Sequence, residues 1–375
     1  MNTSICSGIS RREFLGCMGA GVAGCMLANT LAGAAPADEE LHEASFYEPL
    51  AGGKVRCKLC PRGCVVGDTH HGYCRVRANR GGRYYSLVYG RPCAIHTDPI
   101  EKKPFFHVYP GSQAFSIATV GCNMACKFCQ NWDIAQAGPN DIRPPYRSPE
   151  AIAQQAAESG ARTIAYTYTE PTIFFEYMSD CARAGKARGK ESVVVSNGFI
   201  AAEALNTLLP LIKAIKIDFK AFTPTFYRDI CDGYLAPVRN TLKLLAKSGV
   251  WYEIVVLIIP TLNDSSDEIK RMTAWIVQDL GPDVPLHFSR YQPMYKIKNI
   301  PPTPPDTLRR ARRIAQAEGC RFVYIGNLSG EEAQNTVCPY CQAILIRRYE
   351  YRILENNIVK GACKACGKTI PGVWN

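Results

Sequence analysis

The residues of this sequence best suited to bind metal are its cysteines. The chain has 18 cysteines in 375 residues, and eleven of them fall into three closely spaced groups. A chain of this length can bury a core without disulfide bridges, so the spacings indicate metal sites. The groups are the N-terminal quartet (Cys57, Cys60, Cys64 and Cys74), the cysteine triad (Cys122, Cys126 and Cys129) and the C-terminal quartet (Cys338, Cys341, Cys363 and Cys366).

The cysteine triad reads C-x3-C-x2-C and is the group that predicts chemistry. Three thiolates on one short loop do not complete a closed structural site of four ligands. A 4Fe–4S cluster held by three thiolates leaves one iron open to a ligand from outside the protein. No other cysteine is close in sequence, so we expect none to replace a triad ligand. The alternative is a zinc site of three cysteines completed by His107 or Cys93.

The C-terminal quartet reads C-x2-C-x21-C-x2-C, two knuckles on either side of a stretch with strand character at residues 343–354. Four thiolates in this layout are typical of tetrahedral zinc, as in a zinc-ribbon-like module. Iron also accepts four thiolates, so the spacing predicts a metal more firmly than it predicts zinc.

The N-terminal quartet reads C-x2-C-x3-C-x9-C, with a proline and three glycines between its members. This composition predicts a loop-rich knuckle. We favour a structural zinc for it, and an accessory iron–sulfur cluster is the alternative. Of the remaining cysteines, Cys93, Cys181, Cys231 and Cys320 stand alone and are interpreted as small buried hydrophobic residues.

The triad, with Phe128 just before its last cysteine, resembles the signature of radical S-adenosylmethionine (SAM) enzymes. Four wider stretches extend the resemblance to the radical enzyme of the AmmeMemoRadiSam system, a group related to pyruvate formate-lyase activating enzyme. The stretches are residues 57–64 (CKLCPRGC), 98–104 (DPIEKKP), 121–132 (GCNMACKFCQNW) and 324–327 (YIGN). The resemblance covers nearly all of the chain after residue 57.

The resemblance implies a reaction. The open iron of the cluster would chelate SAM, and one-electron reduction would yield a 5′-deoxyadenosyl radical that abstracts hydrogen from an unidentified substrate. It also implies a one-electron donor such as flavodoxin or ferredoxin, and Amme- and Memo-type partner proteins. Two alternatives stay open: an activating enzyme for a glycyl-radical enzyme, and a non-enzymatic iron–sulfur electron carrier.

The elements that must position these groups alternate between strands and helices from residue 115 onward. Six short apolar segments separated by helical patterns predict a parallel sheet in an α/β fold. We expect a partial (β/α)6 TIM-like barrel, as the resemblance implies, with a doubly wound sheet as the alternative. The predicted strands are 115–120, 163–167, 192–195, 214–218, 252–259 and 285–291, and the predicted helices are 149–159, 172–188, 201–210, 235–248, 266–279 and 305–318.

Polar residues stand at the ends of these strands, where barrel enzymes carry their chemistry. From the resemblance we expect Glu170 to contact the methionine amino group of SAM and Asn197 to contact its carboxylate or ribose. Asp218 and Lys220 alternate with apolar residues, so they share one face of the strand end; a plain salt bridge is the alternative. His287 is predicted near the nucleoside, against the alternative of a satisfied core histidine.

The start of the chain reads as a targeting segment. Arg11 and Arg12 precede a mild apolar run, which is the pattern of a twin-arginine leader over residues 1–37. Cys25 follows a lipobox-like sequence, so lipid anchoring there is an alternative. The leader predicts export or membrane association, while the need for SAM and a reductant favours the cytoplasm.

The sequence thus predicts four regions: the leader (1–37), an N-terminal knuckle region (45–110), the radical SAM core (111–330) and the C-terminal module (331–375). The net charge is +11, from 44 basic and 33 acidic residues spread along the chain. Such a balance favours an acidic protein partner over a dedicated nucleic-acid surface.

Overall fold

A sheet of eight strands forms the centre of the protein. The structure is a computed structural model that describes residues 41–330 and 332–375, so the predicted leader lies outside the described residues. Residues Leu41–Asn375 form one compact unit. In chain order the strands of the sheet are β1 (Ala94–Pro99), β2 (Gln113–Ala118), β3 (Thr163–Tyr166), β4 (Glu191–Ser196), β5 (Ala214–Asp218), β6 (Trp251–Ile258), β7 (Leu286–Arg290) and β8 (Val323–Gly326).

The strands lie side by side in chain order. β1 pairs antiparallel with β2, and β2 to β8 are all parallel. The predicted α/β class with a mostly parallel sheet is therefore confirmed. The six predicted strands correspond to β2 to β7. Two strands were not predicted: β1 has three consecutive polar residues, His96, Thr97 and Asp98, and β8 is a short strand that ends in a glycine.

Helices connect successive parallel strands. They are α1 (Trp132–Ala135), α2 (Pro149–Glu158), α3 (Phe175–Ala187), α4 (Ala202–Leu208), α5 (Pro224–Phe226), α6 (Leu235–Ser248), α7 (Ser266–Asp279) and α8 (Pro305–Ala317). The chain thus contains six β/α units from β2 to α8, and β8 adds a seventh parallel strand. Serine caps begin two of the helices: Ser148 accepts the Ala151 N–H and Ser265 accepts the Glu268 N–H.

The two faces of the sheet are covered differently. Side chains such as Ile164 and Ile254 belong to the large core that the helices share. On the other face lie small residues, among them Ala165 and Ala214, which pack with Phe105 in a second core cluster. Because both faces are covered, β3 is buried at all four positions, as expected for a parallel strand.

The N-terminal region consists of two small antiparallel sheets. Their strands are His42–Glu43, Arg83–Ser86 and Arg77–Arg80 in one, and Tyr47–Leu50, Lys54–Cys57 and Val65–Val66 in the other. A buried ion pair joins this region to α3. Arg77 donates from both terminal nitrogens to the Glu176 carboxylate, at 2.8 and 3.0 Å, and the two side chains are 1% and 4% exposed.

The C-terminal module is a hairpin with a short second sheet. Its strands are Thr336–Val337, Ile344–Tyr349, Arg352–Asn356, Ile358–Val359 and Ala362–Cys363. Cys338 and Cys363 pack in one cluster with Phe106 and Tyr324 of the core. Arg348 of the hairpin donates to the Phe106 carbonyl at 2.7 Å. The module is therefore docked on the β8 side of the sheet by apolar packing and by a buried arginine.

In the part of the chain that the structure describes, none of the helices has the length and apolarity needed to cross a bilayer.

Candidate functional site

The cysteine triad lies on a loop that directly follows β2. Gly121 opens the loop with a φ of +96°, and a Cβ atom there would be 2.9 Å from the Cys74 carbonyl oxygen, so a larger residue does not fit. Further along the loop, the Ala125 N–H donates to the Cys231 carbonyl at 3.0 Å. The loop is thus fixed against the N-terminal region at its start and against the short π-helical turn Tyr227–Cys231 in its middle.

The triad thiols are partly buried. Burial raises the pKa of Cys122 and raises the pKa of Cys129 to about 11. No three described cysteines outside the C-terminal quartet have sulfur atoms within 4.8 Å of one another. The triad sulfurs are therefore too far apart to share one ion, as is required when each thiolate binds a different iron of a cubane. The residues present fit a 4Fe–4S cluster.

Cys231 corrects one expectation. Its position 102 residues beyond Cys129 gave no sequence signal of proximity, yet its carbonyl accepts the Ala125 N–H at 3.0 Å and its thiol is close enough to Cys126 to shift the pKa of that thiol. The Cys231 thiol, against the opposing effect of burial, lowers the pKa of Cys126. The expectation that Cys231 stands alone is wrong, although its burial is as predicted.

A cavity of about 480 Å³ opens from the triad at the carboxyl ends of the strands. This volume is within the range of pockets that bind small molecules and cofactors. All three triad cysteines line the cavity, together with every residue predicted to bind cofactor: Glu170, Asn197, Asp218, Lys220 and His287. The structure thus brings together eight residues that the sequence spreads over 166 positions.

Glu170 is buried, with 1% of its surface exposed, so it is not a surface carboxylate. Its Oε1 accepts from the Thr172 N–H, the Thr172 hydroxyl and the Ser196 hydroxyl at 2.7 to 3.0 Å. Its Oε2 accepts the Asn197 N–H at 2.7 Å. Burial raises the pKa of Glu170, and these donors oppose the shift. Oε2 keeps acceptor capacity for one further donor.

Asn197 links the end of β4 to the cysteine loop. Its side-chain N–H donates to Asn123 Oδ1 at 2.8 Å, and its Oδ1 accepts the Phe199 N–H at 2.8 Å. Asn123 lies between Cys122 and Cys126 and donates to the Phe199 carbonyl at 2.8 Å. The side-chain hydrogen bonds of Asn197 therefore mainly hold the cysteine loop in place beside the cavity.

Asp218 lies between two lysines at the end of β5. It accepts a hydrogen bond from Lys220 Nζ at 2.9 Å and another from Lys216 Nζ. Burial raises the pKa of Asp218, but the two lysines outweigh it and hold the pKa below its usual value. Burial lowers the pKa of Lys216, while Asp218 outweighs burial at Lys220 and raises its pKa. The predicted salt bridge and the predicted cavity position are thus both present.

His287 is buried in the core and also lines the cavity. Its Nε2–H donates to Glu253 Oε2 at 2.7 Å, and its ring stacks on Tyr324 at 5.0 Å between centroids. Burial lowers the pKa of His287, so the neutral form is favoured despite the nearby carboxylate. Glu253 is itself fixed by the backbone N–H groups of Phe106 and His107.

Several cavity residues were not singled out from the sequence. Tyr168 has a positive φ of 65°, and its hydroxyl donates to Asp98. Asp98 also accepts from Lys103 Nζ at 2.5 Å. Two features of the sequence could have identified such residues. Residues 98–104 belong to a stretch that carries the family resemblance. Lys216, which also lines the cavity, lies two positions before Asp218 on the same face of the strand. Glu101, Lys102 and Lys103 all line the cavity.

The C-terminal quartet forms a compact group of four sulfur atoms, all within 4.8 Å of one another. The Sγ–Sγ distances are 3.7 Å for Cys338–Cys366 and 3.7 Å for Cys341–Cys363. A tetrahedral ion with metal–sulfur bonds of about 2.3 Å requires sulfur separations of about 3.8 Å. The quartet therefore fits one tetrahedral ion of the size of zinc.

The N-terminal quartet lines a second, smaller cavity with Arg77 and Asn123. Burial raises the pKa of Cys60 to about 12 and that of Cys74 to about 11. Since Asn123 belongs to the cysteine loop, this second cavity lies directly behind the loop.

The family model of the radical SAM superfamily matches residues 116–276. This range begins in β2 and contains the triad, Glu170, Asn197, Asp218 and Lys220. The match therefore covers the cysteine loop and four of the five polar cavity residues predicted to bind cofactor.

Two curated proteins of Methanocaldococcus jannaschii are similar to the chain. Uncharacterized protein MJ0808 is 43% identical over 334 residues, which span 88% of this chain and 99% of that protein. Uncharacterized protein MJ0674 is 24% identical over 259 residues, 65% of this chain and 68% of that protein.

Solved structures with a similar fold include a domain of pyruvate-formate lyase-activating enzyme from Bacteroides vulgatus. It has a TM-score of 0.40 and 16% identity, and the alignment covers 44% of this chain and 99% of that one. Another is SuiB from Streptococcus suis bound to S-adenosylmethionine, with a TM-score of 0.46, 14% identity and coverage of 61% and 53%. The chain therefore belongs to one family with MJ0808, and its residues 116–276 form a radical SAM superfamily domain.

Proposed function

We propose that the protein is a radical SAM enzyme whose cysteine triad holds a 4Fe–4S cluster and whose 480 Å³ cavity binds SAM beside it. The observation that carries this proposal is the convergence of the triad and the five polar residues on one cavity. An electron carrier needs a cluster but no adjoining pocket of this size. The superfamily match supports the same conclusion.

A reduced cluster held by Cys122, Cys126 and Cys129 would supply the electron that cleaves SAM to a 5′-deoxyadenosyl radical, which would abstract hydrogen from the substrate. The chain's own part is to bind and orient SAM. Asp218 stays ionised between Lys216 and Lys220, so this strand end offers both charge signs to a zwitterionic methionine group. Glu170 has room for one more donor at Oε2. These groups are fixed by buried hydrogen bonds before the ligand arrives, which reduces the cost of ordering them.

We assign the substrate to the part of the cavity whose lining residues have no proposed contact with SAM. Glu101, Lys102 and Lys103 contribute from one side, and Glu350 and Tyr351 at the tip of the C-terminal hairpin contribute from another. This mixture of charges favours a polar substrate. We propose that the substrate is a small molecule modified together with Amme- and Memo-type partners. Activation of a glycyl-radical enzyme is the second candidate.

We also propose an acidic one-electron donor, flavodoxin or ferredoxin, because the chain carries a net charge of +11.

We further propose that residues 1–37 are a twin-arginine leader. Arg11→Lys with Arg12→Lys should then abolish export. Unchanged localisation of that variant would remove the twin-arginine interpretation. The C-terminal quartet is proposed to hold zinc, in keeping with its 3.7 Å sulfur distances.

The decisive experiment is an anaerobic assay of the reconstituted protein. Addition of SAM should change the electron paramagnetic resonance (EPR) signal of the reduced cluster, and 5′-deoxyadenosine should form slowly without substrate. A cluster that forms with no 5′-deoxyadenosine in the presence of a strong chemical reductant would reject the enzyme and favour the electron carrier.

Variants of the triad need a careful choice, because the Cys231 thiol lies close to Cys126 and can take over as a ligand. Cys122→Ala is therefore the informative change, and it should abolish cluster signal and cleavage together. Cys320→Ala, at a buried cysteine outside the three groups, is the matched control and should retain both.

A further inference from the structure

The N-terminal quartet differs from a zinc site in how far apart its sulfur atoms lie. No three of its sulfurs come within 4.8 Å of one another, whereas all four of the C-terminal quartet do. One tetrahedral zinc would require all sulfur pairs at about 3.8 Å. Thus the geometry of the N-terminal quartet does not match the structural zinc that the sequence favours.

The four cysteines nevertheless form one group. They line one cavity, and the charge of Cys60 would interact with those of Cys57, Cys64 and Cys74. No pair among them is in the sulfur–sulfur contact of 3.7 Å seen twice in the C-terminal quartet. A [2Fe–2S] centre would need two such close pairs, because two thiolates share each iron. In a cubane each thiolate has its own iron, and the sulfurs stand further apart.

A buried donor points to an anionic occupant of this cavity. Arg77 lines the cavity and is 1% exposed. Its terminal nitrogens are bonded to Glu176, but its Nε–H has no hydrogen-bond partner within the described residues. A buried N–H without a partner costs free energy. A sulfide or thiolate sulfur of a cluster with net negative charge would accept from it.

We propose that the N-terminal quartet binds a second 4Fe–4S cluster, with all four irons ligated by protein. This goes beyond the proposed radical reaction, which requires the triad cluster alone. The second cluster lies behind the cysteine loop, since Asn123 lines its cavity and Cys74 packs against Gly121 at the start of the loop. With four protein thiolates it has no open iron, so SAM does not bind to it.

Metal analysis of the full chain, reconstituted anaerobically with iron and sulfide, tests the proposal. Wild type should hold about eight irons and eight sulfides, as expected for two cubanes, and one zinc. The triple variant Cys122→Ala/Cys126→Ala/Cys129→Ala should lose half of the iron and retain an EPR signal that SAM does not alter. Cys60→Ala/Cys74→Ala should also lose half, and its remaining signal should still respond to SAM.

The same metal analysis distinguishes an iron–sulfur cluster from zinc in the N-terminal quartet. A second zinc in wild type, with no iron left in the triple variant, would overturn the proposal. Should Cys60→Ala/Cys74→Ala fail to fold, wild type and the triple variant still decide between the two metals. The C-terminal variant Cys338→Ser/Cys366→Ser is the control, which should lose zinc and keep all iron. Absence of 5′-deoxyadenosine formation by a protein with two clusters would reject the radical reaction and leave the second cluster standing.

Discussion

The two cysteine quartets have the same ligands and different geometry. In the C-terminal quartet two knuckles face each other, their sulfurs gather within 4.8 Å, and Cys341 and Cys366 are exposed. In the N-terminal quartet one loop-rich segment surrounds a cavity, and its cysteines are buried or partly buried. The comparison shows that the size of a metal centre is determined by the spacing of the sulfur atoms in space. Spacing in sequence predicts that both groups are metal sites and does not distinguish an ion from a cluster.

The surroundings of the two quartets differ in charge as well. Arg77, whose terminal nitrogens pair with Glu176, lies beside the N-terminal quartet, and its Nε–H, without a partner among the described residues, can donate to a sulfur of the proposed cluster. The C-terminal quartet has backbone N–H donors instead: those of Cys366 and Ala365 help to lower the pKa of Cys363 to about 7, against a smaller opposing effect of burial. Each quartet thus has a different means of stabilising thiolates.

The largest expected effect is at the C-terminal quartet. Cys338→Ser with Cys366→Ser should release the metal and unfold the module, since structural zinc contributes on the order of 10 kcal/mol in small zinc domains. Zinc analysis and limited proteolysis of residues 336–375 would measure this. The triad cluster should keep its EPR signal. Its loss in this variant would show that the two sites are not separate.

The next effect concerns the buried arginine of the N-terminal quartet. Arg77→Met leaves the Glu176 carboxylate buried without its partner, which should lower the free energy of unfolding by about 3–5 kcal/mol. Chemical denaturation would measure the loss. Arg83→Met removes an exposed ion pair with Glu43 and is the matched control, expected to change stability little. Equal effects of the two substitutions would contradict a special role of Arg77 at its quartet.

The smallest effect is a pH dependence restricted to the C-terminal quartet. Cys363 has a lowered pKa of about 7, so its thiolate is present above pH 7 and is protonated as the pH falls below it. Metal affinity of the module should therefore fall about tenfold per pH unit below 7 for this one proton. Zinc retention by the metal-loaded protein against a competing chelator, measured on both sides of pH 7, checks this dependence. Retention that is the same above and below pH 7 would contradict it.

Much of this fold could be predicted because its signals are local. Apolar strands and capped helices such as α2 and α7 are encoded by local signals, and the predicted ends of these two helices agree with the observed ends to within one residue. β8 was not predicted, since it is short and ends in glycine, which is depleted in strands. The hairpin of the module was predicted as one stretch, since its turn at Glu350 has no glycine or proline.

The site could be predicted only where residues follow a strand end. Glu170, Asn197, Asp218 and Lys220 were found because parallel strands all point the same way. Contacts between distant segments have no such rule. Cys231 meets Cys126 through the π-helical turn Tyr227–Cys231, and the separation of the sulfurs in the N-terminal quartet depends on how that region packs against α3. Neither follows from spacing along the chain.

The C-terminal hairpin tip, Glu350 and Tyr351, forms part of the wall of the main cavity. The base of that hairpin is held by the C-terminal quartet, more than 200 residues after the cysteine triad. The zinc proposed for the module would therefore fix part of the cavity wall, independently of the cluster proposed at the triad. In a cell depleted of zinc, the proposed enzyme would keep the residues that bind SAM and lose the fixed position of Glu350 and Tyr351 beside the radical.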